Sequence, residues 1–173
     1  MGNLTQERLK ELLDYDQDTG IFRWRVNRGG KAGDIAGSIR TNRYRRIMVD
    51  GKLYQSSRLV WLFMEGYFPE HECDHENRIK DDDRWDNIRH VSSQCNNRNR
   101  GRSKNNTSGV TGISWHKTCE KWHAQIEINY KHKHLGYFKE FKDAVTARWD
   151  AEVEHDWPGC NSHTDAYCYL NQP

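Results

Sequence analysis

The chain has 173 residues, enough for one ordinary domain or two small ones. Hydrophobic residues make up 35% and mean hydropathy is −1.09, yet 7 Trp, 8 Tyr and 5 Phe exclude a disordered tail and point to small cores on aromatic anchors. The net charge of +2 is unevenly spread: residues 21–58 hold 10 basic and 2 acidic side chains, 59–83 hold 2 and 8, and 84–142 hold 12 and 4. Carboxylates set between basic blocks are expected where a divalent cation separates them from a polyanion. Arginine outnumbers lysine, 16 to 11, and guanidinium groups suit bidentate contacts with phosphates and bases. No apolar run approaches the roughly 18–20 residues that span a bilayer, so no membrane partner is expected. The start, MGNLTQERLK, has no apolar leader core, and a cytoplasmic chain is expected. Gly2 behind Met1 is by itself a weak myristoylation signal. The five cysteines form no CxxC pair, which argues against a disulfide scaffold or a four-cysteine zinc ribbon.

Leu9, Leu12 and Leu13 follow Thr5, a plausible N-cap, at helical spacing, so 6–14 reads as a short helix. Asp18-Thr19-Gly20 reads as a turn and Ile21 to Trp24 as a strand. Gly29, Gly30, Gly33 and Gly37 make 27–38 a loop. Tyr44 to Val49, Asp50-Gly51 and Lys52 to Tyr54 predict a hairpin with a type I′ turn. Ser57 is expected to cap a helix carrying Leu59, Val60, Leu62 and Phe63, ended by Pro69. Residues 99–108 have almost no apolar content and read as a linker. Beyond it, Gly112 to His116 reads as a strand. Trp122, Ala124, Ile126 and Ile128 alternate strictly with His123, Gln125, Glu127 and Asn129, as in a half-buried strand. A third strand is expected over 132–138 and an amphipathic helix over 141–154. Residues 156–173 read as an irregular tail.

The densest chemistry lies in 71–100. Asp74-His75 is followed by Asn87 and then by Asn96. With Arg58-Leu59-Val60-Trp61, Arg84-Trp85-Asp86-Asn87-Ile88-Arg89 and Asn96-Asn97-Arg98-Asn99-Arg100, this text resembles the HNH endonucleases of the bacteriophage homing-type branch, across about residues 14–102. The resemblance implies a ββα-metal motif at about 71–100: two short antiparallel strands and a helix around one divalent ion. It implies phosphodiester hydrolysis in double-stranded DNA inside a phage-infected bacterial host. An imidazole titrating near ambient pH can take a proton from water, so His75 is the expected general base. Asp74 and Asn96 are the expected metal ligands, with Asn97 the alternative for a register shifted by one. Two oxygen ligands suit Mg²⁺ or Mn²⁺. Asn87 is expected to brace the loop and aim His75. Arg89 is expected on a phosphate or on a structural carboxylate. Glu76, Asp81, Asp82, Asp83 and Asp86 read as a solvated loop or as a second metal site. His71 and His90 read as surface or phosphate donors, and Cys73 and Cys95 as small core residues.

A second resemblance covers 107–154. Ser108-Gly109-Val110, Gly112-Ile113, Trp115-His116-Lys117, Lys121-Trp122, His134-Leu135-Gly136-Tyr137-Phe138 and Asp143-Ala144-Val145 look like the APETALA-type (ethylene-response-factor) DNA-binding domain. That family implies three antiparallel strands on one helix, with the outer sheet face in the major groove. The outer face would present Ser114, His116, Gln125, Glu127, His132 and His134, with Lys117 near a phosphate. Glu127 could accept from a cytosine amine. Arg98, Arg100, Arg102 and Lys104 are expected to follow the DNA backbone between the modules.

The expected class is therefore α+β. A β-rich N-terminal segment and HNH core fill 1–98, a basic linker 99–108, the DNA-binding domain 109–155 and a tail 156–173. The expected activity is a metal-dependent, site-specific endonuclease that nicks one strand as a monomer. A non-enzymatic DNA-binding regulator with a degenerate HNH site is the alternative. A structural RNA-binding protein would leave the Asp74, His75 and Asn96 spacing without a use.

Overall fold

The computed structural model describes residues 4–27 and 30–172, so Gly2 and Gly29 lie outside the described residues. The chain divides into two compact units, Met1–Ser93 and Gln94–Pro173. Among the described residues, no helix is long and apolar enough to cross a membrane.

The first unit opens with α1 (Gln6–Leu12), capped by the Thr5 hydroxyl, which accepts from the Arg8 amide at 3.2 Å. The helix is shorter than the leucine spacing predicts. Leu13 already belongs to strand β1 (Leu13–Asp16), paired with β2 (Ile21–Trp24) so that Leu13 faces Trp24. Pairing with a neighbouring strand here overrides helical periodicity. A second sheet joins β3 (Ser38–Ile39), β4 (Arg45–Val49) and β5 (Lys52–Gln55). Asp50 and Gly51 have φ of 47° and 81°, the two positive values that a type I′ hairpin needs. Helix α2 (Ser56–Glu65) starts one residue before the expected cap. Ser57 is fully buried rather than capping, and Gln55 holds the cap position without a side-chain bond. Gly66, at φ 86°, ends the helix. These elements bury Leu9, Leu13, Phe22, Ile47, Leu59 and Val60 completely. Each such side chain contributes about 1.5–3 kcal/mol. On this core stands a two-stranded sheet, β6 (Glu72–His75) antiparallel to β7 (Ile88–Val91).

The second unit starts within α3 (Ser93–Arg98). Its sheet has the order β10-β9-β8, made from β8 (Ile113–His116), β9 (Lys121–Ile128) and β10 (Lys131–Phe138), with α4 (Phe141–Glu154) against it. The alternation in β9 holds: Ala124 and Ile126 are fully buried, while Glu127 is exposed. The core adds Val110, Ile113, Ala144 and Val145.

Three expectations change in this unit. The stretch 99–108 groups with it, and Asn106 and Ser108 both donate to the Val110 carbonyl at 2.9 Å. The stretch has no apolar side chain to bury, yet its polar side chains fold it onto the start of the sheet. The tail is ordered: Thr164 caps α5 (Asp165–Leu170), which packs on α4. Trp157 and Ala166 bury there, and the Thr164 hydroxyl donates to Glu152 at 2.6 Å. Cys95 is not a free core residue but is disulfide-bonded to Cys160, with 65 residues of sequence separation.

Candidate active site

Strand register brings the predicted chemistry of the first unit together. Asp74 faces Arg89 and His75 faces Ile88 across the β6–β7 pair. Asp74 and His75 end β6 in adjacent positions and are 8% and 4% exposed, so both carry polar groups out of bulk water. Such burial is tolerable only with partners. Asp74 Oδ2 accepts from Arg89 Nε at 3.0 Å and from Nη2 at 2.8 Å. Of the two roles expected for Arg89, the structure therefore displays the carboxylate partner.

His75 Nε2 lies 2.8 Å from Asp83 Oδ1. Asp83 is only 2% exposed, so it is no member of a solvated acidic loop. Nothing in the local text distinguishes it from Asp81 or Asp82, which is why spacing alone missed it. Its backbone carbonyl accepts from the Tyr15 hydroxyl at 2.7 Å. Burial, then the nearby carboxylates led by Asp83, raise the Tyr15 phenol well above its usual range, so it stays a donor. The β1–β2 turn also supports this point. A Cβ on Gly20 would stand 2.4 Å from the Asp83 carbonyl carbon and from the Arg84 amide nitrogen. Only glycine allows the turn to lie so close.

Asn87, expected to brace the loop, bonds to the chain at two points of it. Its Nδ2 donates to the Asp82 carbonyl at 2.7 Å, and its Oδ1 accepts from the Asn77 amide at 3.0 Å. One buried amide thus ties together both arms of the 76–87 loop, which carries Asp83. Asp82 binds Arg84 through both carboxylate oxygens and accepts from Asn77. The Arg84 hydrogen bonds hold its pKa down at about 2. Before the loop, Arg58 donates to the His71 and Pro69 carbonyls at 3.0 and 2.8 Å. His71 and His90 stack at 5.4 Å rather than lying as isolated surface groups. The Cys73 thiol is pushed up to about 12, chiefly by burial.

Asn96 and its alternative Asn97 stand on α3 in the second unit, both half-buried. No three His, Cys, Asp or Glu side chains converge as a metal cage among the described residues. The donor chemistry of Asp74 nevertheless fits a hard divalent ion: it is a buried carboxylate at the end of β6.

In the second unit, Ser114, His116, Gln125, Glu127, His132 and His134 lie on the outer sheet face, as the alternation predicts. Glu127 and His132 face each other across β9 and β10, 3.9 Å apart and both exposed. His123 belongs to this face too and was missed. Its Nε2 is 2.9 Å from His134 Nδ1, and Tyr137 packs on both rings. Burial, then His134 and His116, lower its pKa. Lys117, Arg100, Arg102 and Lys104 are exposed, although Arg102 donates to the Gly109 carbonyl. Arg98 does not fit the role of a backbone-tracking cation. Its guanidinium donates to the His155 carbonyl at 3.2 Å and lies over the Trp157 ring at 5.2 Å. Burial lowers its pKa.

The sequence model of the HNH endonuclease family matches residues 54–98, which span α2, the β6–β7 pair and α3. This segment is an HNH endonuclease domain, a DNA nuclease module. No match was found among curated proteins. Among solved structures, the chain is similar to one described as "DNA binding and cleavage by the HNH homing endonuclease I-HmuI". The identity is 21% and the TM-score 0.41, over 90% of this chain and 88% of that one.

Proposed function

We propose that the chain is a metal-dependent, site-specific DNA endonuclease of the homing type that nicks one strand of duplex DNA. The observation that carries this reading is the buried Asp74-His75 pair, inside the segment that matches the HNH family. His75 takes a proton from the attacking water. The water oxygen then bonds to phosphorus while the bond to the leaving sugar oxygen breaks, and that oxygen is protonated from solvent. Asp74, with Asn96 assigned from the sequence resemblance, would hold a Mg²⁺ or Mn²⁺ ion that supplies positive charge to the phosphate and the departing oxygen. Asn87 keeps the 76–87 loop closed around His75.

The outer face of the β8–β10 sheet is the proposed sequence reader, as in APETALA-type domains, entering the major groove. Gln125, Glu127, His132 and His134 meet base edges, and Lys117, Arg100, Arg102 and Lys104 meet phosphates. The proposed setting is the cytoplasm of a phage-infected bacterium. One Asp74-His75 set attacks one phosphodiester at a time, so a monomer nicks.

The test is incubation with supercoiled plasmid carrying phage genomic fragments, with Mg²⁺ and then with EDTA. Open circle should appear before linear product, and only with metal. His75→Ala should cut about 10²–10⁴ times more slowly while still binding DNA. A wild-type protein that binds DNA and never cuts would establish the regulator instead.

A further inference from the structure

His75 and Asp83 form a buried carboxylate–imidazole pair, and the cleavage chemistry above gives Asp83 no role. Nε2 and Oδ1 are 2.8 Å apart, and the two side chains are 4% and 2% exposed. A carboxylate buried this deeply costs folding free energy unless it is well partnered. Asp83 Oδ2 is buried with no hydrogen-bond partner among the described residues, so packing gains do not account for the carboxylate. Its backbone, in contrast, is held from two sides, and the chain two residues on is held as well. Tyr15 donates to its carbonyl, Gly20 abuts its carbonyl carbon, and the Trp85 amide donates to the Gln17 carbonyl at 3.3 Å. Asn87 holds the preceding carbonyl, that of Asp82. The N-terminal hairpin, which lies outside the segment matched by the family model, therefore fixes where one carboxylate oxygen meets the imidazole.

We infer that Asp83 is a positioning residue for cleavage, and that the β1–β2 hairpin serves it. This rests on the reading of His75 as general base. With the Asp83 oxygen as acceptor, the contact places a proton on Nε2. In the neutral ring the lone pair then belongs to Nδ1. Asp83 thereby selects the tautomer, holds the ring plane, and assigns Nδ1 as the atom that receives the proton from water. The same oxygen faces the positive ring that this transfer creates. Asp83 touches neither substrate nor metal ligand in this role, so its loss should act on kcat and spare DNA binding.

The experiment compares wild type, Asp83→Asn, Asp83→Glu and His75→Ala in single-turnover cleavage and in DNA binding. Long-range proton–nitrogen NMR of His75 in the full chain is read alongside. The wild-type spectrum should show the Nε2–H tautomer. Asp83→Asn keeps the volume but removes the negative charge that faces the ring. It should cut about 10²-fold more slowly or worse, with DNA affinity within about twofold of wild type. Asp83→Glu should restore part of the rate by returning the negative charge. A wild-type Nδ1–H tautomer would overturn the inference without any variant. So would an Asp83→Asn protein that cuts at the wild-type kcat while His75→Ala is dead. A His75→Ala protein that cuts normally would remove the base itself, and this inference with it.

Discussion

Replacing Gly20 with alanine tests whether the N-terminal hairpin supports the cleavage site. Gly20 has φ of 72°, and a Cβ there would lie 2.4 Å from two backbone atoms of the Asp83–Arg84 peptide. Ordinary van der Waals contact begins near 3.4 Å. One backbone must therefore retreat by about 1 Å, the difference between those two distances. Passed to Asp83, that shift would open its 2.8 Å contact with His75 to about 3.8 Å, beyond hydrogen-bond range. Gly51 is the control, because its φ is 81° and nothing stands within 4 Å of its Cβ position. Gly51→Ala carries the left-handed backbone cost alone, about 1–2 kcal/mol. Gly20→Ala carries that cost and the collision. With a urea slope of about 2 kcal/mol per M, Gly51→Ala should lower the midpoint by about 0.5–1 M, and Gly20→Ala by distinctly more. Unfolding is followed by the amide signals of Phe22 and Ile47, both in the first unit's core. At low urea, where both variants are folded, only Gly20→Ala should cut slowly. Equal midpoints and wild-type cutting by Gly20→Ala would refute the buttress.

Asp74→Ala should abolish metal-dependent cutting, and calorimetry with Mn²⁺ should show weakened binding; unchanged affinity would dismiss Asp74 as a ligand. Thiol titration of the unreduced, denatured chain should count three free cysteines against five after reduction, because Cys95 and Cys160 are bonded. Breaking that bond, which closes a loop of about 65 residues, should destabilise the second unit by up to about 4 kcal/mol, read as a lower urea midpoint under reductant. Iodoacetamide at pH 8 should label exposed Cys119 and Cys168 quickly and half-buried Cys73 slowly. Since the Cys73 pKa is raised to about 12, its linked stability is complete below about pH 8.5 and lost as pH rises toward 12. A Cys73→Ala variant should show a shallower alkaline decline in urea midpoint.

Local patterns were the legible part of this chain. Asp50-Gly51 announces its hairpin because two adjacent positive φ values demand those residue types. The run from Trp122 to Ile128 announces a half-buried strand because period two is a property of one strand alone. Asp74, His75 and Asn87 were readable as a motif, and their burial and bonds agree with residues that need partners. What could not be read depends on distant chain. Leu13 leaves its helix because Trp24 pairs with it. Cys95 meets Cys160 across 65 residues, and no spacing rule selects that partner. Asp83 stands in a row of three aspartates, and only the path of the loop decides which one turns inward. Arg98 looked like a DNA contact because charge alone does not show that a guanidinium lies over a tryptophan in its own unit.

That row of aspartates also bears on the number of metals. Residues 59–83 hold eight carboxylates, which suggests a pool able to hold more than one cation. Two like charges 4 Å apart repel by about 4 kcal/mol at an effective dielectric near 20, so carboxylates that converge without a cation are costly. The fold gives three of them separate partners instead. Asp74 lies on Arg89, Asp82 on Arg84 and Asp83 on His75, and in each pair the positive or donor group comes from the same loop or the adjoining strand. Asp82 and Asp83 are thereby drawn into bracing the loop and orienting the imidazole, which leaves Asp74 as the carboxylate placed beside the base. Arg89 holds that carboxylate through Nε and Nη2. In the acidic centre between basic arms, these three carboxylates are thus engaged one by one rather than gathered into a common cluster.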